Sequence, residues 1–456
     1  MLKKLTGSRA FYARILAVVL PILIQNLITN FVSLLDNIMV GQVGTEAMSG
    51  VAIVNQLIFV YYLGIFGLLS GIGIFTAQYF GKRDLQGIRN TFVLKWAATA
   101  LYFAAALLLF YFFGPAMINS FLHDSGTGID AAAIYSHAEK YLWIIMIGVV
   151  PFSISQIYSS TMREMQEARI PMIAGIAAVF INLFFNYVLI YGHFGAPALG
   201  VVGAAIATDI SRFVELGINA VWAHTHKDKT VFLKPGLKAD ISLEYVKKVA
   251  ITSAPLFINE FLWSASIALQ NRIISNRGLE VVPAINIAST VANLCNTFYL
   301  SIGISLGIIV GSILGRGDND EAVDTDRKMI FLSFCTSCVI GALSFIFAPL
   351  IANIYNTSPE VKLLASFFIR TVSVYMPMEA VINASYFTIR CGGKTLITFL
   401  FDSVYNWCVV IPTALITVNL LPVSVEICYI IICGISIIKL AVGLILVRKK
   451  IWINRL

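Results

Sequence analysis

Charge is scarce in this sequence. Asp, Glu, Lys and Arg make up 12% of its 456 residues, where a soluble domain carries about 25%. Hydrophobic residues make up 58%, more apolar surface than a soluble fold can hide, so the solvent is the bilayer. Histidine is scarce too. There are five, and His224 and His226 fall in a polar stretch with no metal-ligand cluster around them. No Gly-x-x-x-x-Gly-Lys-Ser/Thr loop occurs, which argues against ATP as the energy source in this chain. The seven cysteines are scattered. Cys335 and Cys338 form a Cys-x-x-Cys inside an apolar run without a second pair, and read as small buried side chains rather than a redox or metal site. No small-residue cleavage site follows the basic N-terminus, so the first apolar run is expected to be a membrane helix and not a signal peptide.

What the sequence has is long, continuous apolar runs. A bilayer admits only helices or closed barrels, and unbroken runs of about 20 residues mean helices. The expected class is therefore all-α: a polytopic membrane protein of twelve transmembrane helices. They are expected near residues 13–40, 49–80, 91–113, 138–160, 170–191, 200–223, 246–275, 283–314, 329–354, 363–389, 396–417 and 424–447. Placing the N-terminus in the cytoplasm puts 25 of the 32 Lys and Arg residues inside, and leaves only Lys140, Arg277 and Lys362 outside. Arg212, Arg272, Arg370 and Lys439 fall in or at the ends of spans. The positive-inside rule thus sets both termini in the cytoplasm. It also accounts for the formal charge of +8 without nucleic acid as a partner.

The chain also repeats itself. An offset of 234 residues brings Pro21 onto Pro255, Asn37 onto Asn271, Gly44 onto Gly278 and Glu46 onto Glu280. It then brings Gly73 onto Gly307, Gly81 onto Gly315 and Asp84 onto Asp318, with no gap. Further on, Pro151 and Arg163 resemble Pro377 and Arg390 with a one-residue change in spacing. Six helices per half make this a parallel pseudo-two-fold repeat of two six-helix bundles, residues 1–223 and 246–456, joined by a cytoplasmic linker at 224–245. Such repeats are typical of transporters, with substrate bound near the midplane.

Ionisable residues inside spans cost about 2.5–3.5 kcal/mol on insertion scales and are functional candidates by default. Asp36 lies on a polar stripe with Gln25, Thr29 and Ser33 at helical spacing, beside Asn26, Asn30 and Asn37. That face looks into the protein or a water-filled cavity. The bland alternative is a hydrogen-bonded packing seam, and an acid is a poor choice for packing alone. Asn182 and Asn186 on helix 5, with Thr208 and Asp209 on helix 6, are the expected partners of Asp36 in a cation or proton site. A local ion pair with Arg212 is the alternative for Asp209. In the second half, Glu260 and Glu379 sit near the centres of helices 7 and 10, each a few residues after a proline. Two acids on one cavity would share protons. No basic residue is expected at their depth except Arg370, and Asp402 reads as a helix-end residue. Aromatic and Met side chains accompany these acids, among them Tyr61, Tyr158, Trp263 and Met378. Singly they read as packing, but as a wall they would suit bulky cations.

Several segments together resemble the multidrug and toxic compound extrusion (MATE) family. They are Leu20-Pro21, Asp36 before Gly41-Gln42-Val43-Gly44, Gln78-Tyr79-Phe80-Gly81, Gly200 to Thr208, Asn259-Glu260 after Pro255, and Arg390 to Thr395. The resemblance covers nearly the whole chain. It implies two six-helix bundles around a V-shaped cavity, and export of organic cations and drugs in exchange for H+ or Na+, with no cofactor. The family's helix-1 acid corresponds to Asp36, its helix-5 asparagine to Asn182, and its helix-7 and helix-10 acids to Glu260 and Glu379. Asn186 stands where one branch has an aspartate, a departure from that branch's cation site. Thr208 is the helix-6 partner. The expected protein is a monomeric secondary antiporter of the cell inner membrane, surrounded by lipid and not an enzyme. The competing readings are a lipid-linked oligosaccharide flippase, which the central acids argue against, and a membrane-embedded enzyme, for which no nucleophile or metal constellation is present.

Overall fold

The computed structural model describes residues 5–122 and 130–456, except the side chains of residues 32–34, 37 and 38. Ser33, expected in the substrate cavity, and Asn37 therefore lie outside the described residues. Among the described residues there is no strand. Twelve long helices are present: α1 (Arg9–Gly41), α2 (Thr45–Lys82), α3 (Leu85–Leu122), α4 (Ala131–Glu164), α5 (Arg169–Tyr191), α6 (Val201–Thr225), α7 (Leu243–Ser275), α8 (Val281–Arg316), α9 (Asn319–Ile354), α10 (Pro359–Cys391), α11 (Thr395–Asn419) and α12 (Val425–Arg448). Ten are long and apolar enough to cross a membrane; α6 and α7 fall outside that set. The reason is plain in α6, where Asp209, Arg212 and Glu215 follow one another within two turns. The chain is an all-helical, multi-pass membrane protein.

The helices outrun the apolar segments that reveal them. Helix α9 begins at Asn319, ten residues before its apolar run, because Asp318 caps it by accepting from the Glu321 N–H at 2.9 Å. Asp84 does the same for α3, accepting from the Gly87 N–H at 2.9 Å. Such caps stabilise a helix start by about 1 kcal/mol. Asp84 and Asp318 are 234-residue partners, so the same cap opens the third helix of each half. The turns agree further: Arg83 and Gly317, also partners, both have positive φ, at 59° and 89°.

The chain divides into two compact units. One comprises Ile24–Thr76 and Asp84–Lys247; the other comprises Met1–Leu23, Ala77–Arg83 and Lys248–Leu456. The start of α1 and the end of α2 are thus grouped with α7–α12. In the first unit, the segment after α6 is folded onto the start of α3 rather than hanging free. Arg89 donates to the Phe232 carbonyl at 2.6 Å, Asn90 exchanges two hydrogen bonds with Asp240, and the fully buried Phe232 packs on Phe92.

In the second unit, the end of α2 crosses α8 with backbone against backbone, at two glycines that leave no room for a side chain. A Cβ on Gly81 would lie 1.7 Å from the Ser312 carbonyl oxygen, and one on Gly315 would lie 1.9 Å from that of Gln78. Positions 78 and 312, like 81 and 315, are 234-residue partners, so the contact is reciprocal. The core of this unit gathers Ile274, Ala284, Phe368, Ala414 and Cys428 from α7, α8, α10, α11 and α12.

Candidate functional site

The first unit brings Asp36, Asn182, Asn186 and Thr208 together. Three helices do this. The i, i+4 spacing on α5 stacks the two asparagines on one face, and α6 brings Thr208 alongside. Asn186 Nδ2 donates to Asp36 Oδ1 at 2.6 Å and to Asn182 Oδ1 at 3.2 Å, while Asn182 Nδ2 lies 3.2 Å from Thr208 Oγ1. Turning the Asn182 amide over satisfies both its ends better. Its nitrogen then donates to both Asp36 oxygens, at 2.8 and 3.1 Å, and its oxygen accepts from Thr208. Asn182 and Asn186 are buried, and the Asn186 Oδ1 has no hydrogen-bond partner. The Tyr191 hydroxyl ties the end of α5 to the end of α1, reaching the Met39 carbonyl and Gln42 Oε1 at 3.0 and 2.8 Å. Each side chain of the group offers an oxygen, and the asparagines and Thr208 add N–H or O–H donors, so the group can hold a proton or a hard monovalent cation.

Asp209 is not Arg212's partner, contrary to the local pair considered above. Arg212 turns to Glu215 at 3.0 Å and lies over the rings of Phe152 and Tyr62, at 5.0 and 5.9 Å. Asp209 is buried against Gly148, where a Cβ would come within 2.0 Å of its Oδ1. That Oδ1 has no hydrogen-bond partner. Gln25 is half-buried and accepts from Arg163 at 3.5 Å. Thr29 is exposed.

Tyr61 and Tyr158, expected on a cavity wall, are buried packing residues here. Tyr61 shares a 2.7 Å hydrogen bond with Ser153 and stacks on Tyr102. The Tyr158 hydroxyl meets His224 Nε2 at 3.1 Å, and its ring lies among Phe92 and Phe232. The reason is geometric: a hydroxyl that finds a partner inside the bundle lets the ring stay there.

One buried pair carries no signal in the sequence. The positive-inside distribution assigns Lys95 to the cytoplasmic charges, yet it is fully buried in α3. Its Nζ donates to Glu164 Oε2 at 2.5 Å, Ser160 Oγ at 3.0 Å and Thr161 Oγ1 at 3.1 Å. Gly73 makes the room, since a Cβ there would fall 2.0 Å from Glu164 Oε1.

The second unit holds a different cluster. Asp402 is not a helix-end residue but its hub. Lys439 Nζ donates to Asp402 Oδ1 at 2.7 Å, and Asn259 Nδ2 donates to Asp402 Oδ2 at 2.9 Å. Asn259 Oδ1 accepts from Ser403 at 2.7 Å, so its amide is held at both ends. Asp402 and Ser403 lie on a π turn, Leu400–Val404, followed by a second at Asn406–Val410. Such turns rotate side chains away from the regular helical face and are frequent at functional sites.

Glu260 is buried beside Asn259, with Arg390 and Asp402 as its charged neighbours. Glu379 has Lys439, Ser436 and Asp402 as its neighbours. Asp402 is thus a charged neighbour of both glutamates, and basic groups, Arg390 and Lys439, do lie near them. Arg370 is not one of them, for its guanidinium sits over Phe345 at 5.3 Å. Trp263 is exposed and Met378 half-buried. Lys439 and Asp402 could have been paired only by knowing how α11 and α12 pack.

A family model described as MatE matches the chain twice, over residues 21–188 and 255–416. The two matches start 234 residues apart, the offset read from the sequence. The chain is 26% identical to the "Probable multidrug resistance protein NorM" of Thermotoga maritima, over 88% of this chain and 84% of that one. It is 24% identical to the protein of the same description in Halalkalibacterium halodurans, over 90% and 88% of the two chains. A solved structure of MATE in the bent conformation superposes with a TM-score of 0.84 at 20% identity, over 98% of this chain and 96% of that one. An outward-facing multidrug resistance MATE family transporter of the MOP superfamily gives 0.82 at 20% identity, over 96% and 95%. These likenesses fix the fold.

Proposed function

The chain belongs to the MatE family, and from that premise we propose that it is a secondary active antiporter, exporting organic cations and drugs in exchange for H+ or Na+ by alternating access. The observation that carries this is the partly buried group of Asp36, Asn182, Asn186 and Thr208 in the first unit. An isolated carboxylate in a membrane interior demands neutralisation, and a side-chain amide answers in two ways. Its N–H end steadies the empty carboxylate. Turned over, its oxygen joins the carboxylate in holding an ion. The amides of Asn182 and Asn186 therefore let one site favour one state when loaded and another when empty. That difference in affinity is what couples an ion gradient to a conformational equilibrium. The description of the NorM relatives as multidrug resistance proteins supports drugs as the cargo. The distribution of Lys and Arg supports an inner-membrane protein with both termini in the cytoplasm, and we take it to work as a monomer.

Reconstituted into liposomes, the protein is expected to move a cationic dye against its gradient when H+ or Na+ is supplied. Asp36→Asn is expected to abolish that movement while eluting as a folded protein. Wild-type export by Asp36→Asn would remove Asp36 from the mechanism. A sodium jump at clamped pH separates the two ions.

A further inference from the structure

Lys439 is a cation in an unusual place. It lies nine residues before the end of α12 at Arg448, about 14 Å along the helix axis. That is too deep for its side chain to reach water by snorkelling. It is 8% exposed and held to Asp402 at 2.7 Å. The rings of Phe401 and Tyr405 lie 5.5 and 5.7 Å from the ammonium, and Glu379, itself hydrogen-bonded to Ser436, is a second acidic neighbour. A carboxylate pair and two aromatic faces are what a free monovalent cation or an organic ammonium would need. The chain fills that place with its own side chain.

We propose that Lys439 is a tethered, exchangeable cation: it occupies the Asp402–Glu379 cluster until an external monovalent cation displaces it, so that loading of this unit is a competition between solute and lysine. The geometry allows the exchange. Asn259 donates to Asp402 Oδ2 at 2.9 Å while Lys439 holds Oδ1, so the carboxylate is anchored independently of the ammonium. Helix α12 tightens at Ile435 without leaving the right-handed helical region, at φ −60° and ψ −24°. The Ile435 carbonyl accepts from the Ile438 N–H at 3.0 Å and from the Tyr405 hydroxyl at 2.7 Å. This altered turn lies four residues before Lys439, and it is the place in α12 where a change of helical pitch would withdraw the ammonium. The inference takes its purpose from the cation-antiport reading above, and its test reads binding rather than flux.

The test uses the purified full chain with Asp36→Asn, which removes the first unit's carboxylate. Binding of radioactive Na+ and of tetraphenylphosphonium is measured separately, to distinguish an inorganic from an organic competitor. Lys439→Gln is expected to tighten binding of at least one of them tenfold or more, and adding Asp402→Asn is expected to abolish the gain. In the Asp36→Asn protein with Lys439 intact, amine labelling of Lys439, read by mass spectrometry, is expected to rise several-fold when the bound cation is added. That second measurement holds even if Lys439→Gln does not fold. A Lys439→Gln protein that folds and binds both cations as before, or Lys439 labelling that neither cation changes, would overturn the proposal. Loss of antiport with the competition intact would sink the transport reading alone.

Discussion

Consider the replacement of Lys95 by methionine. The ammonium carries three N–H groups, and three acceptors meet them: Glu164, Ser160 and Thr161, at 2.5, 3.0 and 3.1 Å. Nothing is left over, and no water is needed. Methionine fills the same volume but strands the Glu164 carboxylate in the bundle interior. Breaking a buried pair from one side costs about 3–5 kcal/mol. Glu164→Leu strands the ammonium instead and is expected to cost as much. The double variant, Lys95→Met with Glu164→Leu, removes both charges, and replacing a buried pair by apolar residues of similar volume is often neutral or stabilising. The four proteins form a thermodynamic cycle. Measured by thermal unfolding in one detergent, both single variants should melt well below the wild type, and the double variant should recover most of the loss. Additive losses, with the double variant worst of all, would refute the claim that the two charges hold each other.

Two further perturbations follow from the fold. Gly81→Leu is expected to lower the melting temperature and yield sharply, because its Cβ alone meets the Ser312 carbonyl oxygen at 1.7 Å. Such overpacking costs typically about 1–3 kcal/mol and here exceeds it, since backbone must move; wild-type melting would contradict the closeness of the crossing. Asp84→Ala and Asp318→Ala are each expected to cost about 1 kcal/mol and to speed amide exchange in the first turns of α3 and α9 respectively. Unchanged exchange there would show that the caps do not hold those turns.

The helices and the repeat were legible because hydropathy, glycine and proline positions are one-dimensional signals. The Asp36 group was legible for a related reason: Asn182 and Asn186 stack at i, i+4 whatever their neighbours do. Charges in the second unit were not. Asp402 and Lys439 lie on different helices, and the π turn at Leu400–Val404 breaks the 3.6-residue rule by which a face is assigned. Arg212 has an acid three residues away on either side, so spacing could not choose between Asp209 and Glu215. Gly148, which seats Asp209 in the bundle, belongs to another helix. Lys95 misled for a different reason. A lysine near the end of an apolar run counts as a topological signal, and only tertiary packing reveals that its partner is Glu164. The offset that aligns the halves also separates their acids: Asp36 falls on Gln270 and Glu260 on Asn26, ten residues apart or about 15 Å along a helix.

The crossing of α2 and α8 has a further meaning. Gly81 rests on the residue that corresponds to Gln78, and Gly315 rests on Gln78 itself. A patch that binds its own copy in this way has the form of the isologous interface of a two-fold dimer. Here both copies are covalently joined, so they meet at an effective concentration set by the connecting chain rather than by expression level. Each repeat can then change alone, except where its glycine meets the other repeat's backbone. A bulky residue at either position meets the other copy's backbone, so this one contact must stay symmetric while the charged clusters of the two units drift apart.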